Sequence, residues 1–306
     1  MNDKPGDLHE TSETVDPDAR LTPAPPGPAA RIVFQGAPGA YSHLACRQAC
    51  PELEPLPAAA FEDAFATVRE GRAERAMIPI ENSVAGRVAD IHHLMPHCGL
   101  HIIGEHFQRV NHHLLAPPGA TLETITTVHS HIHALNQCRR LLRELRIQPK
   151  LHADTAGAAA DVAASGRLDQ SAIASRLAAE IYGLEILRSD IEDAEHNTTR
   201  FIILAREPTL PPPDEGPTIT SFLFRVRNVP AALYKALGGF ATNGVNMIKL
   251  ESYVDARFQQ AQFYAEVLGH PEQKGLKHAF EELAFFSHEV EQLGVYPAHP
   301  FRFQSA

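Results

Sequence analysis

The pattern of hydrophobic and polar positions changes period several times along the chain, and each change marks an element. Arg31-Ile32-Val33-Phe34 is a short apolar run. It passes straight into Gln35-Gly36-Ala37-Pro38-Gly39-Ala40-Tyr41-Ser42 and then into a helical segment, His43 to Ala49. Strand, glycine loop and helix in that order aim backbone N–H groups at an anion. Both the G-x-G-x-x-G spacing and the P-loop lysine are missing, so a nucleotide site is not predicted. Phe201-Ile202-Ile203-Leu204 is a second apolar run with β-branched residues, and it reads as a buried strand. Asn197, Thr198, Thr199 and Arg200 stand immediately before it, which places two hydroxyls, an amide and a guanidinium at the mouth of a strand.

Between these runs the sequence echoes itself. Gly71-Arg72-Ala73-Glu74-Arg75-Ala76-Met77-Ile78-Pro79-Ile80 aligns without gaps to Gly166-Arg167-Leu168-Asp169-Gln170-Ser171-Ala172-Ile173-Ala174-Ser175. Each copy follows an alanine-bearing helical segment and leads into a strand. A polar turn and helix are then expected, at Glu81-Asn82-Ser83 in the first copy and Ser175-Arg176 in the second. The echo predicts two similar α/β lobes whose strand C-termini and helix N-termini face a shared cleft; chance similarity in alanine-rich sequence is the competing explanation.

Five prolines and a glycine punctuate an acidic stretch, Pro208 to Pro217, which reads as a linker. Beyond it, Thr218 to Val226 alternates like a strand and Pro230 to Ala241 is an amphipathic helix. Asn246 to Val254 and Gln260 to Leu268 are strands, Glu272 to Leu283 a helix, and Ser287 to Val295 a closing strand. This βαββαβ order is the ferredoxin-like pattern. The predicted organisation is a leader over 1–29, a two-lobed domain over 30–207, a linker over 208–217 and a small domain over 218–298.

Composition narrows the function classes. The chain has 306 residues, 27 basic against 37 acidic, and no basic run. Nucleic acid and anionic membranes are therefore not expected partners. Cys46, Cys50, Cys98 and Cys138 form no C-x-x-C pair and suit a reducing cytoplasm. Residues 1–29 are acidic and proline-rich without an apolar segment, the composition of a disordered leader rather than a signal peptide.

Five polar tracts fall on predicted loops or element ends: Gly36 to Ser42, Glu81-Asn82-Ser83, Ser130 to Gln137, Asp154-Thr155-Ala156-Gly157 and Asn197 to Arg200. Together they offer directional donors suited to a small, oxygen-rich anion. Arg200 carries a planar fork of donors that matches a carboxylate, though a solvent-facing arginine is the bland alternative. His129-Ser130-His131-Ile132-His133 resembles a ligand run, and on a strand its three histidines would share a face. No spaced cysteine or carboxylate accompanies it, and zinc takes three or four convergent ligands; surface or helix-start histidines are the simpler expectation. The same holds for His92-His93 and His112-His113. Ser130 beside a histidine does not make a triad, because neighbours on a strand point to opposite faces and the G-x-S-x-G elbow is absent.

These tracts, in this order, resemble prephenate dehydratase. The pieces are Gly36 to Ser42, Pro79-Ile80-Glu81-Asn82-Ser83-Val84-Ala85-Gly86, Val128-His129-Ser130-His131 with Gln137-Cys138, Asp154-Thr155-Ala156, and Asn197-Thr198-Thr199-Arg200-Phe201. The resemblance implies an α/β fold: a two-lobed, periplasmic-binding-protein-like catalytic domain followed by a ferredoxin-like βαββαβ (ACT) domain. It implies a carbon–oxygen lyase that turns prephenate into phenylpyruvate without cofactor or metal. Thr199 would help the ring hydroxyl depart. Arg200 would clamp a carboxylate or hold the Thr199 loop. Tyr41, Ser42, Asn82, Ser83, Ser130, Gln137 and Thr155 would bind substrate. An L-phenylalanine effector would meet Asn228, Ala231, Ala232, Leu233, Glu251 and Ser252, in a homodimer or homotetramer. The family's Gly-Ala-Leu and Glu-Ser-Arg-Pro segments read here as Ala231-Ala232-Leu233 and Glu251-Ser252-Tyr253-Val254. Arogenate dehydratase, or a two-lobed amino-acid sensor without activity, are the alternatives.

Overall fold

The computed structural model describes residues 30–304 apart from 89–90, 92–93, 97, 195, 228 and 255–260. The leader, His92-His93 and the effector position Asn228 lie outside the described residues.

The first lobe is built from β1 (Arg31–Gln35), α1 (Tyr41–Ala49), β2 (Glu54–Ala58), α2 (Phe61–Arg69), β3 (Arg75–Asn82), β4 (Gly86–Arg87) and β5 (His101–Arg109). The second holds β6 (His113–Ala116), β7 (Thr127–Ser130), α3 (Ile132–Gln137), α4 (Arg139–Leu145), β8 (Gln148–Leu151), α5 (Thr155–Ser165), β9 (Gln170–Ala174), α6 (Arg176–Tyr182) and β10 (Glu185–Arg188). β11 (Thr198–Ala205) then returns the chain to the first sheet, whose order is β2-β1-β3-β11-β5. The second sheet runs β10-β6-β9-β7-β8.

The echoed segments become β3 and β9, each preceded by a helix. After β9 the chain enters α6, capped by Ser175, whose Oγ accepts from the Ala178 amide. After β3 it does not form a helix. The Asn82 side chain accepts from the amides of Val84 (3.0 Å) and Ala85 (2.8 Å), the amides a helix would need free at its start. The turn closes through Gly86 at φ 84° into the β3–β4 hairpin. Pro79 survives inside β3 because the ladder with β11 shifts register there: Arg200 faces Glu81 and Phe201 faces Pro79, which leaves Ile80 as the extra residue of a bulge.

The two lobes meet at the Gly39 loop. A Cβ on Gly39, which sits at φ 91°, would lie 2.8 Å from the Ala178 Cα of α6. Ser175 Oγ donates to the Gly39 carbonyl and Tyr182 to that of Pro38 (2.8 Å). Only glycine permits this approach.

The C-terminal unit comprises β12 (Thr218–Val226), α7 (Ala232–Thr242), β13 (Asn246–Val254), β14 (Ala261–Leu268), α8 (Lys274–Phe286) and β15 (Ser287–Pro297), followed by a 3₁₀ turn, Pro300–Phe303. Its sheet, β13-β14-β12-β15, is antiparallel throughout and has the ferredoxin-like strand order. The expected alternation over β12 is replaced by near-continuous burial, because both faces of this sheet are covered. Phe222, Phe224, Phe263 and Val267 pack on α7 and α8. On the other face, Ile219, Leu223, Tyr264, Leu293 and Tyr296 share one cluster with Ile78, Ile80, Ile102, Ile202 and Leu204 of the first lobe. Gly294 of β15 passes so close to β5 that a Cβ there would stand 2.0 Å from the Ile102 carbonyl oxygen.

Ala231, the cap of α7, stands at φ 62° in the left-handed region. A non-glycine residue there costs roughly 1–2 kcal/mol, of which glycine's greater freedom in the unfolded chain would take back part. Ala231→Gly is therefore expected to stabilise the protein by about 0.5–1 kcal/mol, read as a higher urea midpoint at unchanged m-value.

Candidate active site

Thr199 and Asn82 face each other across β11 and β3. Because Asn82 Oδ1 is taken by two backbone amides, its Nδ2 must point the other way. It donates to Thr199 Oγ1 (3.0 Å), Asn197 Oδ1 (2.8 Å) and the Thr198 carbonyl (3.3 Å). With its oxygen so engaged, Asn197 donates through Nδ2 to Gln137 Oε1 (2.7 Å) on α3 of the second lobe. The same Gln137 oxygen is 2.9 Å from His112 Nε2, which must therefore carry the proton. His112 Nδ1 is left as acceptor, 2.9 Å from the Tyr41 hydroxyl of α1, whose single hydrogen is shared between it and the Asn111 carbonyl (2.6 Å). Burial holds His112 below the ordinary imidazole range against the opposing Gln137 bond, which keeps it neutral.

The result is one hydrogen-bonded network across both lobes, in which Gln137 Oε1 accepts from His112 and Asn197 and Asn82 Nδ2 donates toward Asn197 and Thr199. Its chemical outcome sits at Thr199: the hydroxyl oxygen accepts a hydrogen bond from Asn82 Nδ2, and its own hydrogen stays available to donate.

A cavity of about 600 Å³ opens beside this network. Of the sequence-expected residues, Tyr41, Ser42, Asn82, Gln137, Thr155 and Thr199 line it. Three others do not. Ser130 is fully buried and its Oγ donates to the Ile173 carbonyl (2.6 Å), so it ties β7 to β9 instead of meeting a ligand. Ser83 receives the Thr198 amide (2.9 Å) and donates to the His196 carbonyl (2.7 Å), pinning the start of β11.

Arg200 departs from the carboxylate clamp and keeps the other expected part, holding the Thr199 segment. Thr199 and Arg200 both lie within β11, and adjacent strand residues point to opposite faces. The guanidinium is therefore buried behind the cleft, 2.8 Å from Glu105, 2.9 Å from Glu266 and 3.1 Å from Glu81, and it clamps nothing in the cavity. The cavity's cation is Arg87 of β4, a residue sequence reading missed. The other cradle for negative charge is backbone: α1 begins at Tyr41 with no side-chain cap on its amides, and α5 begins at Thr155 with Asp154 as cap to Gly157.

His112 was also missed, and Asn197 was named in the polar cluster without a role. His112 and His113 are buried, not surface residues, because they lie on the chain crossing between lobes. The 129–133 histidine run does not share a strand face: β7 ends at Ser130 and His131 caps α3. Among the described residues no group of three or more His, Cys, Asp or Glu converges as a metal site. All four cysteines are buried and free, and burial pushes their thiols up, so none is an activated nucleophile. Of the effector positions, Ala232 is buried, Leu233 half-buried and Ser252 exposed, while Glu251 receives Lys249 Nζ (2.8 Å) and the Tyr253 hydroxyl (2.7 Å). No helix among the described residues is long and apolar enough to cross a membrane.

Acid lability follows from this burial. Besides His112, burial lowers His43, His106, His113, His129, His131 and His299. The unfolded chain takes up protons that the fold refuses, so stability falls as pH drops through about 6.5. Burial raises the carboxyls of Glu81 and Glu105, but their Lys249, Arg200 and Arg302 partners outweigh it and hold both below the usual range. Their contribution is lost as pH falls below about 4.3. Urea midpoints are expected to decline in two stages, the first setting in as pH falls through about 6.5 and the second below about 4.3.

The prephenate dehydratase family model matches residues 32–209. A bifunctional N-acyl-homoserine lactone acylase/prephenate dehydratase of Komagataeibacter europaeus is 56% identical over 89% of this chain and 97% of its own length. A chloroplastic arogenate dehydratase/prephenate dehydratase of Arabidopsis thaliana is 41% identical over 87% of this chain and 72% of its own length. Among solved structures, the prephenate dehydratase of Arthrobacter aurescens in complex with L-Phe matches with a TM-score of 0.81 at 29% identity, covering 90% of this chain and 92% of that one. The matched span contains the whole network from Tyr41 to Thr199, and the chain belongs to the prephenate dehydratase family.

Proposed function

We propose that the protein is a prephenate dehydratase, and that the Thr199 hydroxyl assists the departure of the ring hydroxyl. Prephenate carries two carboxylates and a ring hydroxyl. Loss of carbon dioxide and of that hydroxyl as water makes the ring aromatic, so the enzyme has only to hold the carboxylates and ease the leaving group. The carboxylates have Arg87 and the amide-bearing starts of α1 and α5 to meet. The departing oxygen has the Thr199 O–H, oriented by Asn82. The observation that carries this reading is the Asn82–Thr199 bond, which holds the threonine hydroxyl at the cavity with its hydrogen available to donate. A threonine is a weak acid, so preorganised hydrogen bonding supplies more of the barrier reduction than full proton transfer.

Prephenate is favoured over arogenate by charge. Arogenate replaces the keto oxygen with an ammonium, and the one carboxylate lining the cavity among the described residues, Asp154, already accepts the Gly157 amide through Oδ1 as the cap of α5. The acylase half of the Komagataeibacter relative's name would need an activated nucleophile; Thr199 accepts from its neighbour and gives no proton to a base. Purified protein incubated separately with prephenate, arogenate and an N-acyl-homoserine lactone decides among these. Prephenate is expected to be preferred by more than about tenfold in kcat/KM. A preference for arogenate would reassign the substrate, turnover of the lactone alone would make the protein an acylase, and turnover of none of the three would leave a binding protein.

The C-terminal βαββαβ unit is the ACT regulatory domain of this reading, with L-phenylalanine as effector and a homodimer or homotetramer as the assembly. Support comes from the retained Leu233, Glu251 and Ser252 and from the L-Phe complex of the Arthrobacter relative. Calorimetry without heat on adding L-phenylalanine would remove the effector.

A further inference from the structure

The charge cluster behind Thr199 is assembled from both ends of the chain. The first lobe contributes Arg200, Glu105 and Glu81. The C-terminal sheet and tail contribute Glu266, Tyr296, Lys249 and Arg302. Glu105, fully buried at its carboxylate, receives Arg200 Nε (2.8 Å), Arg302 through Nε (2.7 Å) and Nη2 (2.8 Å), and the His299 amide (3.0 Å). The Arg302 guanidinium also reaches Glu266 at 3.5 Å, and Tyr296 accepts from Arg200 Nη2 at 3.2 Å. On the Asn82 side, Glu81 pairs with Lys249. Arg200, Lys249 and Arg302 thus face Glu81, Glu105 and Glu266, with Glu251 a fourth carboxylate on Lys249, and two of the three cations come from beyond the linker. The tail is strapped in place by aromatic contact: Phe301 stacks on Phe107 of β5 at 4.7 Å, and Arg302 lies 5.5 Å over the same ring.

We propose that the C-terminal tail is part of what holds the catalytic geometry, with Arg302 a positioning residue that acts through Glu105 and Arg200 on Thr199. This rests on the dehydratase reading of the cleft. Arg200 is the peptide neighbour of Thr199 and faces the β3 bulge at Ile80; the ladder is interrupted on that side, and β11 is held there by its pairing with β5 and by the Arg200 ion pairs. Holding the guanidinium therefore fixes the rotation of the strand and, with it, the direction of the Thr199 hydroxyl. Glu81 does the same for Asn82 from the facing strand. Without Arg302, Glu105 keeps one cation for a buried charge that had two. Arg200 must then turn further toward Glu105 and away from Glu266 and Glu81, carrying Thr199 with it. Misplacement of about 1 Å by a change remote from the chemistry can cost 10²-fold in rate.

The test uses the full chain with Arg302→Met, Arg302→Lys and Phe301→Ala. Phe301→Ala loosens the strap without unpairing a charge, so the question stays answerable if Arg302→Met does not fold. Two readouts are taken: kcat and KM for prephenate, and amide exchange at residues 198–200 against residues 127–130 and 170–174 of the second lobe. Arg302→Met is expected to lower kcat by about 10²-fold with little change in KM. Arg302→Lys should recover part of the loss, Phe301→Ala should show a smaller one, and exchange should quicken at 198–200 alone. A folded Arg302→Met or, failing that, Phe301→Ala with wild-type kcat overturns the proposal; so does exchange that rises evenly across both lobes, the mark of a merely structural role. If the wild type turns over no dehydratase substrate, the functional reading fails instead, and the exchange pattern still decides whether the tail holds residues 198–200.

Discussion

Thr199→Val is expected to lower kcat for prephenate by about 10²–10³-fold, the cost of removing one preorganised donor from a developing negative charge. KM should change little, because the carboxylates are met elsewhere, by Arg87 and the starts of α1 and α5. The substitution is close to isosteric. Asn82 keeps Asn197 Oδ1 and the Thr198 carbonyl as acceptors, so the fold does not lose a buried donor. Thr199→Ser, which restores the hydroxyl, should recover much of the rate. Equal loss in Thr199→Ser and Thr199→Val would point to packing of the methyl group; a Thr199→Val enzyme within a few-fold of wild type would remove the residue from the mechanism.

Arg200→Leu is expected to be the most destabilising single change in the catalytic lobe, by about 3–5 kcal/mol, because it strands buried carboxylates. Glu105 and Glu266 are 7% and 0% exposed, and each loses a partner within 3 Å. The loss should be read in urea unfolding, and it should shrink as the pH is lowered and the stranded carboxyls protonate. A substrate clamp would behave differently: its removal would raise KM and leave unfolding near wild type.

How these two neighbours divide their duties was within reach of the sequence. Alternation along a strand sets Thr199 and Arg200 on opposite faces once the strand is known to begin at Thr198 rather than Phe201. The run of apolar letters that marks a buried strand starts three residues later, since the polar first turns of β11 face a cleft on one side and an ion cluster on the other. The ferredoxin-like order of the C-terminal unit was legible nearly residue for residue, because its strands carry dense β-branched and aromatic runs between clear turns. What the sequence concealed was long-range pairing. Nothing local says that Arg302 meets Glu105, nor that Asn82 uses its side chain to close a hairpin and so ends the helical half of the internal echo. His112 was illegible for the same reason, and Asn197, though named in the polar cluster, had no role to read: both meet at Gln137, which the fold brings to Asn197 from the other lobe.

The most direct test is a crystal structure with an analogue of prephenate whose saturated ring keeps both carboxylates and the hydroxyl but cannot aromatise. The hydroxyl oxygen is expected within about 3 Å of Thr199 Oγ1. The carboxylates should lie against Arg87 and the starts of α1 and α5, with Arg200 still locked between Glu105 and Glu266. A carboxylate on Arg200, or a ring hydroxyl turned away from Thr199, would contradict the assignment.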